Sequence, residues 1–237
     1  MSQSKVAVIT GGTKGLGKAL SFAFAKRGWK VFTTGRNTPN ILALREEATK
    51  EKLPIQVIQS DVSSLTDNQA LAKHIKKEVG GIDLLVHNAS ILGPRLTLED
   101  YAPETFEKVL AINTTGPFHL TQALLPLLKD NAAVQFVTSG VGIVGKAKWG
   151  AYSVSKFGLE AIAQIWAAEL KERGVRVYTI DPGSMRTDMR AQAYPEEDPN
   201  TLITPEDNIA CFISLAEEAS LAVSGERFKA KSFKLPA

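Results

Sequence analysis

The sequence predicts an α/β fold: a doubly wound parallel sheet with helices on both faces, Rossmann-type, in a single domain. Short β-branched apolar runs alternate with longer helical patterns almost to the C-terminal end. Such alternation builds a parallel sheet through right-handed crossovers. Several of the runs are apolar on both faces, as strands covered by helices on each side must be. The first run also ends in a glycine-rich turn that opens directly into a helical pattern. A length of 237 residues suits one sizeable core better than two domains, and no linker, repeat or low-complexity segment divides it.

Taken in order, strands are expected over residues 6–10, 30–34, 55–59, 84–87, 133–139 and 175–180. Helical patterns fill the gaps at 16–27, 41–50, 67–79, 106–128 and 151–173. Residues 184–204 form the one long irregular stretch, rich in Pro, Glu and Asp. A loop of that length is usually functional or disordered. Because it follows the sixth strand directly, a substrate lid is the expectation. Thr204-Pro205-Glu206 then reads as an N-cap with Pro at the first helical position.

Composition excludes several classes of protein. A hydrophobic fraction of 44% and a charged fraction of 22% are ordinary globular values, unlike those of disordered or collagen-like chains. The net charge of +3 is spread along the chain. Its densest basic cluster, Lys73, Lys76 and Lys77, is followed at once by Glu78 and reads as a solvated helix face, so no nucleic-acid partner is expected. Cys211 is the only cysteine, which rules out an intrachain disulfide and favours a reducing compartment. Met1-Ser2-Gln3-Ser4 leads straight into Val6-Ala7-Val8-Ile9, too short a segment for a signal-peptide core. No apolar stretch approaches the roughly 18 residues of a membrane helix. A soluble, cytoplasmic protein without a membrane partner or a metal is expected.

The first strand ends in Thr10-Gly11-Gly12-Thr13-Lys14-Gly15-Leu16-Gly17. Glycines there permit a tight turn and let backbone N–H groups approach a pyrophosphate, and the helix N-terminus adds partial positive charge. The spacing Gly-x-x-x-Gly-x-Gly differs from the commonest dinucleotide fingerprint, so its strand–turn–helix context carries the reading. An acidic residue about 20 positions further on would bind the ribose 2′-hydroxyl and select NAD. Thr34-Gly35-Arg36-Asn37 stands there instead, with no carboxylate. Arg36 offers a planar cationic fork to a 2′-phosphate, and Lys14 could approach from the other side. NADP(H) is the preferred cofactor; two solvated surface cations are the plain alternative.

Tyr152-Ser153-Val154-Ser155-Lys156 opens the helix over 151–173, placing Tyr152 and Lys156 on one helical face. Tyrosine is a poor acid–base catalyst near neutral pH unless its anion is stabilised, and a nearby ammonium does that. Ser139, at the end of the preceding strand, places a hydroxyl at the carboxyl edge of the sheet, where open α/β sheets bind ligands.

With these motifs the chain resembles the short-chain dehydrogenase/reductase family, in its compact single-domain branch. The resemblance covers residues 5–187 and rests on an ordered set. The set comprises the glycine turn, Asp61-Val62, Asn88-Ala89, Asn113, Ser139, Tyr152 with Lys156, and Pro182-Gly183-Ser184-Met185-Arg186-Thr187.

The resemblance implies an NADP(H)-dependent oxidoreductase that interconverts a carbonyl and an alcohol. Tyr152 would protonate the carbonyl oxygen as hydride arrives from the nicotinamide. Lys156 would depress the Tyr152 pKa and hold the nicotinamide ribose, and Ser139 would steady the substrate oxygen. Asn113 would hold a water linking Lys156 to solvent. Around the cofactor, Gly11, Thr13, Gly15, Leu16 and Gly17 belong to the turn that would meet the pyrophosphate, and Arg36, with Lys14 from the other side, would meet the 2′-phosphate. Asp61 and Val62 would meet the adenine, and Asn88 and Ala89 the adenosine side. Pro182, Gly183 and Thr187 would hold the nicotinamide end.

Three features depart from the family pattern. His87 stands for the first Asn of Asn-Asn-Ala-Gly and Ser90 for its Gly; His87, at a strand end, reads as structural. Ser224-Gly225-Glu226-Arg227-Phe228 could start the usual last strand, but the Asp-Gly-Gly ending is missing, which puts a tail-built tetramer contact in doubt.

Expected pocket walls are Ser90, Ile91, Leu92, Val141, Gly142, Trp149, Met185, Met189 and Tyr194, which fits a mid-sized hydrophobic carbonyl. Arg95, Lys146, Lys148 and Arg186 read as solvated cations. Small residues on the 151–173 helix (Gly158, Ala161, Ala163, Ala167 and Ala168) bring it close to its own sheet. By resemblance, that helix also pairs across a twofold axis in a homodimer or homotetramer. The alternative reading, a catalytically silent NADP(H)-binding sensor or scaffold, usually goes with a broken catalytic set, whereas Asn113, Ser139, Tyr152 and Lys156 are all present.

Overall fold

Four consecutive apolar residues, Val6–Ile9, are all buried, and they form β1 in the interior of the sheet. A computed structural model of the chain describes residues 4–218 and 221–234. Met1 to Gln3, read above as the approach to the first strand, lie outside the described residues, as does the extreme C-terminal end.

The other strands are β2 (Lys30–Gly35), β3 (Ile55–Gln59), β4 (Ile82–His87), β5 (Leu128–Val137), β6 (Arg176–Asp181) and β7 (Arg227–Lys229). They form one sheet in the order β3-β2-β1-β4-β5-β6-β7, every neighbouring pair parallel. The chain runs outward from β1 to β3, then returns to place β4 on the other side of β1. The carboxyl ends of β1 and β4 therefore flank the switch point where such sheets bind ligands.

Helices α1 (Gly15–Lys26), α2 (Thr38–Lys50), α3 (Leu65–Val79), α4 (Pro103–Leu110), α5 (Gly116–Leu124), α6 (Gly150–Glu169), α7 (Asp188–Ala193) and α8 (Ala210–Glu217) complete the fold. Alternate strand residues feed two cores. Val8, Phe32, Leu85 and Phe136 pack under α3, α5 and α6 with Ile75, Leu124 and Leu159. Ala7, Ile9, Leu84 and Tyr178 pack on the opposite face with Leu20 and Phe24 of α1 and Phe212 of α8. That is the doubly wound sheet predicted from the sequence.

Three segments differ from expectation. The helix expected over 106–128 is broken: α4 ends at Leu110, a π-helical turn spans Ala111–Thr115, and α5 follows. Pro117 has no N–H, so the Asn113 carbonyl loses its i+4 donor, and the Gly116 N–H bonds five residues back to Ala111. Gly116 also sits so close to the Val62 carbonyl that a Cβ there would lie 2.7 Å from the oxygen. A 3₁₀ turn at Leu125–Leu127, around Pro126, then ends the helical run, and β5 begins at Leu128.

The stretch 184–204 is partly ordered into α7, because Thr187 caps it by accepting from the Arg190 N–H (3.3 Å) and Asp188 occupies its first turn. The helix start expected at Thr204-Pro205-Glu206 is only a 3₁₀ turn over Glu206–Asn208. There the buried Asn208 side chain donates to the Pro182 carbonyl (2.7 Å), and α8 begins at Ala210.

His87 occupies the structural position read from the sequence. Its ring stacks on Phe136, with centroids 4.6 Å apart, and its Nε2 lies 2.8 Å from the Thr121 hydroxyl. That hydroxyl already donates to the Pro117 carbonyl (2.8 Å), so it accepts from the His87 Nε2–H. A second proton would fall on Nδ1, which is buried without a partner among the described residues. Burial accordingly lowers the His87 pKa from 6.5 to about 3. Between those values the unfolded chain binds a proton that the folded one refuses, so stability must fall as pH drops below 6.5. We expect urea denaturation to show a loss of about 2 kcal/mol between pH 7 and pH 5 from this residue alone. His87→Asn should abolish that increment; an unchanged pH dependence would show that the ring is not the acid-labile group.

Candidate functional site

The glycine turn after β1 is shaped by how closely other chain segments approach it. Gly11 has φ +64°, and a Cβ there would come within 2.8 Å of the Ala89 backbone. Asn88, just after β4, fixes the turn from below: its Nδ2 donates to the carbonyls of Thr10 (2.9 Å) and Gly11 (3.1 Å). The Thr10 hydroxyl accepts in return from the N–H groups of Asn88 and Ala89, each at 3.0 Å. Gly17 leaves space for that amide, since a Cβ would lie 2.4 Å from Asn88 Nδ2. The turn delivers the N-terminus of α1, which has no side-chain cap and no acidic residue in its first turn. Its free N–H groups and dipole are available to an anion.

Arg36 stands half-exposed at the end of β2, its Nη1 3.3 Å from Asp61. The Asp61 carboxylate also accepts from the Ser63 N–H (2.9 Å) and hydroxyl (2.6 Å). These contacts outweigh desolvation and hold its pKa below the ordinary value. Lys14 does not turn toward Arg36; its Nζ pairs with Asp188 at the start of α7 (2.9 Å). Both pairs are solvent-exposed, so each contributes about 0–1 kcal/mol and exchanges readily for a stronger anion.

The turn opens into a cleft of about 1270 Å³. Drug-sized sites occupy about 300–1,000 Å³, so the cleft has space for a dinucleotide and a second molecule. Of the residues singled out in the sequence, Gly11, Thr13, Lys14, Gly15, Leu16, Arg36, Val62, Asn88, Ala89, Ser139, Tyr152, Lys156, Pro182, Gly183 and Thr187 all line it. Gly17, Asp61 and Asn113 stand behind its walls. Ser60, Asn40 and Thr138, to which the sequence drew no attention, also line it. Ser60 directly follows β3, beside Asp61 at the same sheet edge.

Ser139 follows β5 and is hydrogen-bonded to the Tyr152 phenol. Tyr152 is almost wholly buried, and Lys156 lies one turn further along α6 with its Nζ 5.5 Å from the tyrosine ring centre. The ammonium donates to the Val137 carbonyl (2.8 Å). The expected depression of the tyrosine pKa is not what this pocket produces. Burial dominates and pushes Tyr152 up to about 12; the Ser139 hydrogen bond pulls down and the charge of Asp181 pushes up. Burial likewise lowers Lys156 to about 8, against the opposing pull of Glu160 and Asp181.

The Asn113 amide is fully engaged: Oδ1 accepts from the Ile91 N–H (2.9 Å), and Nδ2 donates to the Ile91 carbonyl (2.9 Å) and the Ser155 hydroxyl (3.0 Å). It therefore clamps the chain after β4 to α6.

Beyond Tyr152 the cleft becomes apolar, with Leu92, Val141, Trp149, Met189 and Ala193 in one cluster. Of the expected walls, Gly142 alone lies outside the lining. Arg95 is not a solvated cation. Its guanidinium lies 4.6 Å from the Trp149 ring centre and 5.0 Å from that of Tyr194, and it donates to the Ala193 carbonyl (2.6 Å). Arg190 stacks on Tyr194 from α7 (3.8 Å) and forms a two-pronged bridge to Glu197. Segment 184–204 is thus fastened across the apolar end of the cleft. Lys146 and Arg186 line the cleft, whereas Lys148 does not.

Among the described residues no helix is long and apolar enough to cross a membrane, and no group of three or more His, Cys, Asp or Glu could hold a metal ion.

Comparison with known proteins supplies the family. The oxidoreductase YciK of Escherichia coli K12 is 34% identical over 237 residues, covering 98% of this chain and 94% of that protein. A short-chain dehydrogenase structure from Pseudomonas syringae is 37% identical, with a TM-score of 0.91, over 96% of this chain and 95% of the other. One from Escherichia coli CFT073, solved with NADPH, is 34% identical with a TM-score of 0.91, over 96% of both chains. The family described as short chain dehydrogenase matches residues 5–198. With the parallel sheet, the glycine turn and the Ser139–Tyr152–Lys156 arrangement, this match shows that the chain belongs to the short-chain dehydrogenase/reductase family.

Proposed function

We propose that the protein is an NADP(H)-dependent oxidoreductase that interconverts a carbonyl compound and an alcohol, with Tyr152 as its general acid and base. One observation carries the reading: the phenol of Tyr152, bonded to Ser139 and beside Lys156, faces the same cleft as the glycine turn. The residues fit a dinucleotide, since the uncapped N-terminus of α1 suits a pyrophosphate and the turn leaves no side chain at Gly11 or Gly15 to obstruct it. Arg36, with no carboxylate at the end of β2, fits a 2′-phosphate, and solved relatives contain NADP and NADPH.

The nicotinamide cofactor, when bound, supplies or accepts the hydride. The chain's own residues manage the oxygen and its proton. A phenol with a pKa of about 12 is protonated throughout the neutral range, which is the state a reduction requires. Ser139 donates to the substrate oxygen and steadies its growing charge while Tyr152 delivers the proton. In the reverse direction the phenolate must form, and the ammonium of Lys156, favoured by Glu160 and Asp181, offsets its charge. The Asn113 carbonyl, deprived of its helical donor by Pro117, is an acceptor for a water that relays protons from Lys156.

The apolar chamber beside Trp149 and Met189 fits a mid-sized hydrophobic carbonyl compound, with segment 184–204 as its lid. Val154, Phe157 and Ile165 on the outer side of α6, with Phe118 of α5, are exposed and form a face suited to pairing two copies. A cytoplasmic setting fits an enzyme that draws on the NADP(H) pool.

Turnover of NADPH and NADH against ketones, aldehydes, quinones and 3-oxoacyl thioesters tests the assignment. Tyr152→Phe should lower kcat by at least about 100-fold, the usual contribution of a positioned acid–base group. Unchanged turnover would refute the mechanism. Arg36→Ala should raise KM for NADPH about 10-fold or more, the loss of a charge-assisted hydrogen bond, and leave KM for NADH unaltered. An equal effect on both cofactors would remove Arg36 from phosphate recognition.

A further inference from the structure

The end of β5 and the face of α6 meet in a repeating pattern that extends one turn beyond the Tyr152–Lys156 pair. Val137 holds Lys156 through its carbonyl (2.8 Å), Thr138 donates to Glu160 Oε1 (2.6 Å), and Ser139 bonds Tyr152. Tyr152, Lys156 and Glu160 stand at i, i+4 and i+8, one stripe of the helix. Glu160 is buried, with only 9% of its side chain exposed. Such a carboxylate is costly unless paired.

Its partner comes from the far end of the chain. Arg227 of β7 donates through Nε to Glu160 Oε1 (3.0 Å) and through Nη2 to Asp181 Oδ2 (2.8 Å). Asp181 ends β6, and its other oxygen accepts from the Gly183 N–H (2.9 Å) in the loop that lines the cleft. One guanidinium thus fastens α6, β6 and β7 together directly behind Lys156.

We propose that Arg227 is a positioning residue for the reaction: it fixes Glu160 and Asp181 in place, and through them the charge around Lys156 and Tyr152. The proposal rests on the reading of Tyr152 and Lys156 as the acid–base pair. Planar two-armed donation lets the one arginine side chain reach both carboxylates. The charged and titratable groups facing Lys156 are Tyr152 and Glu160 on its own helix, Asp181 on β6 and Arg227 on β7. Two carboxylates against one arginine leave a local excess of negative charge that favours the lysine cation. That field opposes the desolvation that brings Lys156 down to about 8.

The test reads Lys156 directly and needs no substrate. Protein carrying lysine labelled with ¹³C at Cε is titrated by NMR, and the Lys156 resonance is assigned by its loss in Lys156→Met. Glu160→Gln, which keeps the shape and removes one negative charge, should lower the Lys156 midpoint by about one pH unit. Arg227→Met should raise it by a similar amount, because both carboxylates then act unopposed. Arg227→Lys, which keeps the charge, should leave the midpoint near its native value. Opposite shifts in the first two variants support the proposal. Shifts of the same sign, or none, overturn it and leave Arg227 a strut that merely pins β7. Should Arg227→Met fail to fold, Arg227→Gln is titrated in its place and must raise the midpoint in the same way. Loss of turnover in Tyr152→Phe bears only on the reading of the reaction, so the two failures are separable.

Discussion

The last residue of β5 and the two that follow it meet three residues spaced one turn apart on α6. Val137, Thr138 and Ser139 receive Lys156, Glu160 and Tyr152 respectively, each through a hydrogen bond at a buried or half-buried position. A slip of one residue in that strand would present opposite faces and exchange polar partners for apolar ones. The register is itself held by the pairing of Ala133–Val137 with Arg176–Ile180 and by the two cores on either side of the sheet. The geometry of the candidate acid–base pair therefore follows from strand register and helix docking, with no mobile loop involved. Rigid elements place reacting groups more accurately than loops do.

The cofactor side of the cleft obeys a different constraint, close approach. At Gly11 and Gly17 a Cβ would fall inside the contact distance of Ala89 or of the Asn88 amide. The resulting turn is tied across the switch point between β1 and β4 by the side chains of Thr10 and Asn88. Asn113 acts in the same way further out, binding both backbone groups of Ile91 and reaching Ser155 beneath Tyr152. Residues that a motif reading assigns to ligand contact are here first of all carpentry between segments.

Features legible in the sequence are those with local causes. Strand positions followed from apolar runs, and the glycine turn from its context. The Tyr152–Lys156 pair came from four-residue spacing and Ser139 from its strand end. The break at Asn113 was half legible: Pro117 was visible, but its effect on a carbonyl four residues earlier was overridden by a long apolar helical pattern. Helix α7 was hidden because a stretch of Pro, Glu and Asp masked the Thr187 cap. The setting of Arg95 has no local cause, because the two aromatic rings that sandwich it come from α7's end and the start of α6. Arg227 was beyond reach altogether, being 67 residues from Glu160, with no pattern linking the last strand to the middle of a helix.

The same cluster explains how the fold tolerates a buried lysine beside a buried phenol. With a folded pKa of about 8 against an ordinary 10.5, Lys156 binds fewer protons than it does in the unfolded chain between those values, so stability rises with pH across that window. Below about pH 8 the cation is present in both states, and its desolvation cost is borne in full. Tyr152 works in the opposite sense: raised to about 12, it penalises the folded state only above pH 10. Near neutrality, therefore, of these two groups only the lysine carries a stability cost. Glu160 and Asp181 offset some of that cost, but each is a buried charge that would itself destabilise the fold unless paired. Arg227 closes the sequence of compensations, and because it sits on the last strand, the end of the chain must dock before the charges at the cleft are balanced.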